Sequence, residues 1–127
     1  MQSIAESLDD AEILRLADYF SKQEAPLVET ADSAPSERVL AGKRLAESGD
    51  SNAAACFGCH GAQGKGSGSR FPGIAGQPSQ FVIDRLHEFQ ARAEAAAPQP
   101  GTMTAVAATL DEKQIAEAAA YLSRLER

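Results

Sequence analysis

No stretch of this 127-residue chain approaches the roughly 18 consecutive apolar residues of a membrane span, so no transmembrane helix is expected. No basic cluster appears and the formal net charge is −6, which disfavours nucleic-acid binding. Large apolar side chains are scarce. The chain is 43% hydrophobic, but alanine supplies much of that share, and residues 35–127 hold only 18 apolar side chains larger than alanine or cysteine. That is a thin supply for a self-sufficient core, and a buried cofactor would add the missing bulk. No alternating pattern of strand type stands out, so the expected fold is all-α.

The acid is unevenly placed. Residues 1–34 hold eight acidic and two basic side chains, a net of −6, whereas residues 35–127 hold ten of each. Two segments with separate origins or roles are expected, 1–34, a helix with a linker, and 35–127, the main domain; the plain alternative is a solvated acidic helix. The linker is the polar, proline-punctuated stretch 24–35.

An offset of 102 places residues 1–23 on 103–125 without a gap. Eight of the 23 positions are identical, among them Met1/Met103, Asp9/Asp111, Ile13/Ile115, Ala17/Ala119 and Tyr19/Tyr121. Both copies begin with an N-cap and its return partner three residues on, Asp9 with Glu12 and Asp111 with Gln114. Apolar residues then recur at helical spacing. Residues 36–48 and 79–96 also read as helices, with Phe81, Leu86 and Phe89 as the buried members of the second. The glycine-rich stretch 58–76 reads as loop, and 97–103, with Pro98, Pro100 and Gly101, as a stiff connection.

Only two cysteines are present, and they lie in C-F-G-C-H as Cys56 and Cys59, followed by His60. This is the attachment pattern of haem c. Two thiols three residues apart can each add across one porphyrin vinyl group, and the next residue is carried beneath the iron, where imidazole is a good ligand. A dithiol redox site would want a βαβ context. A zinc site drawn from Cys56, Cys59, His60 and His87 is also weaker, because the adjacent Cys59 and His60 fit one tetrahedral ion poorly. The run 61–67 matches a phosphate loop only loosely.

For the opposite axial position the chain offers two thioethers, Met103 and Met1, and one spare imidazole, His87. Met103 follows the stiff Pro-Gln-Pro-Gly loop and precedes the last helix, which favours it; His87 is expected at the surface or in a hydrogen bond. His–Met ligation fills both axial positions and raises the potential relative to two imidazoles. Such an iron has no site for substrate, so the expected work is outer-sphere electron transfer and not catalysis. Haem c is attached outside the cytoplasm, yet Met1–Ser7 lacks the basic, apolar start of a signal peptide. The chain is expected to be a mature form or a piece of a longer protein.

These features resemble a class I c-type cytochrome, most closely the cytochrome c4 and c553 group. The resemblance rests on C-F-G-C-H-G-A-Q-G-K-G at 56–66, F-P-G-I-A-G-Q at 71–77, F-V-I-D-R-L-H-E-F at 81–89, Met103, and L-D-E-K-Q-I-A-E-A-A-A-Y-L at 110–122. It covers essentially all of 36–127. It implies an all-α class I cytochrome c fold around one covalently bound haem, with an extra N-terminal helix and linker. Cys56 and Cys59 would carry the thioethers, with His60 proximal and Met103 distal. The carbonyl of Pro72 would accept from the His60 ring, and Ile74 would pack on the haem. The helix at 36–48 and the one at 111–125 would cross, with Gly42 allowing close approach and Tyr121 in the contact. The family often has tyrosine where Phe81 stands and glutamine where Arg85 stands, so Arg85 and Arg70 become the candidate partners of the haem propionates.

Cytochrome c4-like proteins carry two haem domains in tandem, which gives the repeat a meaning: residues 1–23 resemble the tail of a preceding haem domain. The expected function is periplasmic one-electron transfer between redox partner proteins. The alternative is a haem-carrying subunit or domain of a larger oxidoreductase. The apolar stripe of the N-terminal helix is expected to meet a second haem domain or another copy of the chain.

Overall fold

The computed structural model describes residues 2–23 and 36–127. The expected linker at 24–35 and the thioether of Met1 lie outside the described residues. Among the described residues seven α-helices follow in order: α1 (Gln2–Ala5), α2 (Asp10–Ser21), α3 (Glu37–Ser48), α4 (Cys56–His60), α5 (Ser79–Ala95), α6 (Met103–Ala107) and α7 (Glu112–Leu122). Among the described residues no strand forms; Ser67 and Phe71 make one isolated bridge. No helix among them is long and apolar enough to cross a membrane.

Local chemistry sets the boundaries. The Ser36 hydroxyl accepts from the Val39 N–H and starts α3, which Gly49 ends with φ +67°. α7 opens with a complete capping box between Asp111 and Gln114, and α2 opens with its counterpart between Asp9 and Glu12. α3 buries Val39, Leu45 and Ala46, and α7 buries Ile115, Ala118, Ala119 and Leu122. The two helices cross at Gly42, where a β-carbon would lie 1.9 Å from the carbonyl oxygen of Glu117. Only glycine permits that approach. Beside the crossing, the Tyr121 hydroxyl donates to Glu47 on α3 at 3.3 Å.

α5 closes the other side. Val82 and Leu86 pack with Ala107, Ile115, Ala119 and Leu122. Gln90 donates to the carbonyls of Ala107 and Leu110, at 3.1 and 2.9 Å, and so ties α5 to the turn between α6 and α7. Ile115 is the largest fully buried side chain, which leaves the protein-only core as thin as the composition implies.

Three expectations need correction. Phe81 is 47% exposed, and Val82 takes its place in the core. The inward stripe of α5 runs through 82 and 86, one position out of phase with the bulkier aromatic, whose ring instead lies under the Arg85 guanidinium. The stretch 58–76 is not all loop: it holds the end of α4 and a 3₁₀ turn, Ala62–Gly64. The last helix stops at Leu122 rather than 125. There the Gly76 N–H donates to the Leu122 carbonyl at 2.9 Å, and Arg127 Nε donates back to the Gly76 carbonyl at 3.1 Å.

The repeat is also structural. At the same offset of 102, α1 falls within α6 and α2 falls on α7. Their surroundings differ. Ile115 and Leu122 are buried in α7, whereas their counterparts Ile13 and Phe20 are 47% and 66% exposed in α2.

Candidate functional site

Cys56, Cys59 and His60 are set by a single short helix. In α4 the two cysteines stand three residues apart on one turn, and His60 closes it. Gly61, at φ +74°, then reverses the chain; a β-carbon there would meet the Gly66 carbonyl oxygen at 2.4 Å. The Gly66 N–H donates to the His60 carbonyl at 2.8 Å, and the Ile74 N–H to the Gly64 carbonyl at 2.7 Å. These bonds fold 61–75 back over the imidazole.

His60 is 5% exposed, the one buried polar side chain among the described residues. Its Nδ1 donates to the Pro72 carbonyl at 2.8 Å. That bond fixes the tautomer and ring orientation, and leaves the Nε2 lone pair free to ligate. Nε2 points at Met103 Sδ, 3.4 Å away. Met103 is held at the start of α6, where the Thr102 hydroxyl accepts from the Ala105 N–H and donates to the Gln99 carbonyl. Two elements separated by 43 positions thus aim a nitrogen and a sulfur lone pair at each other.

Cys59 is exposed and Cys56 half-buried. Burial pushes the Cys56 thiol above its ordinary value, so it stays neutral at physiological pH. Phe57, Ile74 and Met103 pack against the core around Ile115, and supply an apolar wall beside the thiols. The residues fit a haem. A thiol pair lies on one turn, an imidazole is fixed by its second nitrogen, a thioether faces it, and an apolar wall stands alongside. Among the described residues no group of three or more His, Cys, Asp and Glu side chains is placed to hold a metal ion, so the zinc reading has no geometry.

Cys56, Cys59, His60, Pro72, Ile74 and Met103 therefore come together. Other candidates do not join them. His87 Nε2 pairs with Glu112 at 3.1 Å, linking α5 to α7. Arg85 pairs with Glu88 and lies over Phe81, and Arg70 lies 5.5 Å from the Phe71 ring centre. Sequence reasoning missed the aromatic neighbours. Phe71 meets the His60 ring edge-on at 6.3 Å, and Phe57 tilts against Tyr121 at 6.3 Å. Their adjacency to Pro72 and to the cysteines was the available signal.

Comparison with known proteins agrees with this geometry. The cytochrome c family profile matches residues 39–126. The chain is 33% identical to cytochrome c-552 of Acidithiobacillus ferridurans, over 98% of this chain and 52% of the relative. It is 29% identical to a protein of Thiomonas intermedia named thiosulfate dehydrogenase electron acceptor, over 97% of this chain and 57% of that one. Among solved structures, cytochrome c4 of Acidithiobacillus ferrooxidans matches with a TM-score of 0.74 at 33% identity, covering 98% of this chain and 71% of that one. The chain spans about half the length of the curated relatives it matches.

Proposed function

Because this chain belongs to the cytochrome c family of haem-carrying electron-transfer proteins, we propose that it is a periplasmic one-electron carrier with a single haem c, tethered by Cys56 and Cys59 and ligated by His60 and Met103. When bound, the haem supplies the Fe(II)/Fe(III) couple. The chain's own residues decide how it is used. His60 is held by Pro72 so that its free nitrogen cannot swing away. Met103 offers a soft thioether, which favours ferrous iron. With His60 and Met103 both holding the iron, the chain would have no open position for substrate and would carry electrons without catalysing a reaction.

The observation that carries the proposal is that His60 Nε2 and Met103 Sδ face each other, with Nδ1 committed elsewhere. The test is ligand access. The ferrous protein should ignore carbon monoxide at neutral pH, and the ferric protein should show the weak red sulfur-to-iron band. Strong carbon monoxide binding would remove Met103 from the distal role.

A second reading, a haem domain within a larger electron-transfer protein, draws on the repeat. α1–α2 falls on α6–α7 at one offset, and α2 repeats the capping box of α7. The relatives matched are about twice as long as this chain. On this reading α2 closes a preceding haem domain, or another copy of the chain. The name of the Thiomonas intermedia relative points to a dehydrogenase as electron donor. Changing Ile13 and Phe20 to aspartate tests the role of α2: an unchanged apparent mass in size exclusion would remove dimerisation through this helix.

A further inference from the structure

Gln90 is a polar residue in line with an apolar stripe. Positions 82, 86 and 90 follow one another at four-residue spacing on α5, so Gln90 shares the face of Val82 and Leu86, which pack on the core. It is half-buried there. Its Nε2 donates to the Ala107 carbonyl at 3.1 Å and to the Leu110 carbonyl at 2.9 Å. Both partners are acceptors only, so the amide has one orientation, with its nitrogen toward the end of α6.

Met103 is the first residue of α6 and Ala107, fully buried, is the last. The helix is a single turn, about 6 Å from end to end. A helix that short does not keep its shape or place without tertiary support. The side-chain bonds made around it by its own threonines are local. Thr102 accepts from the Ala105 N–H and donates to the Gln99 carbonyl, and the Thr109 hydroxyl donates to the Val106 carbonyl at 2.8 Å. Gln90 reaches α6 from another helix, and it bonds to backbone, which cannot rotate aside as a side chain can.

We infer that Gln90 is a positioning residue for the Met103 thioether. By anchoring the far end of a one-turn helix to α5, it keeps the sulfur directed at His60 Nε2 and limits how often that axial direction opens. A ligand that competes with Met103 binds only the opened form, so its apparent affinity reads the opening directly. The inference rests on the His60–Met103 ligation proposed for the haem.

The test titrates the ferric holoprotein with imidazole and follows the loss of the red sulfur-to-iron band. Gln90→Met keeps the bulk and removes both donors; it should raise the apparent imidazole affinity about 5- to 30-fold, the factor that one or two hydrogen bonds are worth. Gln90→Glu keeps the shape but offers no donor at neutral pH, and it should raise the affinity at least as much. Wild-type affinity in Gln90→Glu would mean that the side chain only fills space, and would overturn the inference. Ser36→Ala, which removes the cap of α3, should lower the melting temperature and leave the imidazole affinity unchanged. An equal rise there would show a general loss of stability and overturn the inference too. The wild-type protein supplies a readout that needs no variant. Both side-chain amide protons of Gln90 should exchange with solvent more slowly than those of Gln80, which is exposed and donates to Asp84; equal exchange would overturn the clamp. The layers separate in the same spectra. A wild-type protein without the red band indicts the ligand assignment, whereas a normal wild-type band with unchanged Gln90 variants indicts Gln90 alone.

Discussion

His60 has both ring nitrogens committed by position: one to the Pro72 carbonyl, the other facing Met103. The two faces of the site therefore fail differently. Met103→Ala should leave the haem covalently attached while lowering the midpoint potential, because water or a harder ligand replaces the thioether. The drop should be a sizeable part of the roughly 0.8 V that axial ligation spans. A potentiometric titration reads it, and an unchanged potential would exclude Met103 as ligand. Replacing both Cys56 and Cys59 by alanine should leave a chain from which haem is extracted by acid and organic solvent. Asp50 offers a pH test. Its carboxylate accepts from the Asn52 and Ala53 N–H groups and from Gln114, and these bonds hold its pKa below the ordinary carboxylate value. The ionised form is preferred in the fold, so the stability it contributes is present above the unfolded value and lost as pH falls through the folded one. Asp50→Asn should flatten the acid limb of thermal stability below about pH 4; an identical limb would show that the bonds contribute nothing there.

Among the elements, the crossing of α3 and α7 is the least forgiving. Gly42→Ala puts a methyl group 1.9 Å from the Glu117 carbonyl, backbone that cannot turn aside. The helices must separate, at a cost of about 1–3 kcal/mol. Differential scanning calorimetry should show the melting temperature of the haem domain falling by roughly 4–8 °C per kcal/mol. The capping boxes allow a controlled comparison. Asp111→Ala should cost about 1 kcal/mol, whereas Asp9→Ala, in a helix without buried residues, should leave the same transition unmoved.

Much of this was legible in the sequence, and the parts that were not have physical causes. The C-F-G-C-H motif, the capping residues and Gly49 are local signals, and each sits where its chemistry requires. Pro72 and Gly42 were readable only through resemblance, because an acceptor carbonyl and a close helix approach leave no trace in composition. Phe81 is large yet exposed, because the phase of α5 is fixed by Val82 and Leu86 packing on α7, a tertiary fact. The end of α7 was overextended because the Gly76 amide that caps it lies 46 positions away. Arg85 and Arg70 carry no local mark that separates a propionate partner from a solvated guanidinium.

Across the whole molecule, charge is unevenly distributed. The acidic excess lies in 1–34 and the neutral module in 35–127. α2 keeps the apolar face of α7 with nothing buried in it. On the proposed reading α2 closes a haem domain, and the site formed by α4, Pro72 and Met103 carries the electron. Both depend on a haem fixed to α4. Denaturing mass spectrometry of the purified chain tests that most directly. The mass should exceed that of the polypeptide by one haem, with the increment confined to the tryptic peptide between Arg44 and Lys65; the bare polypeptide mass would contradict the account.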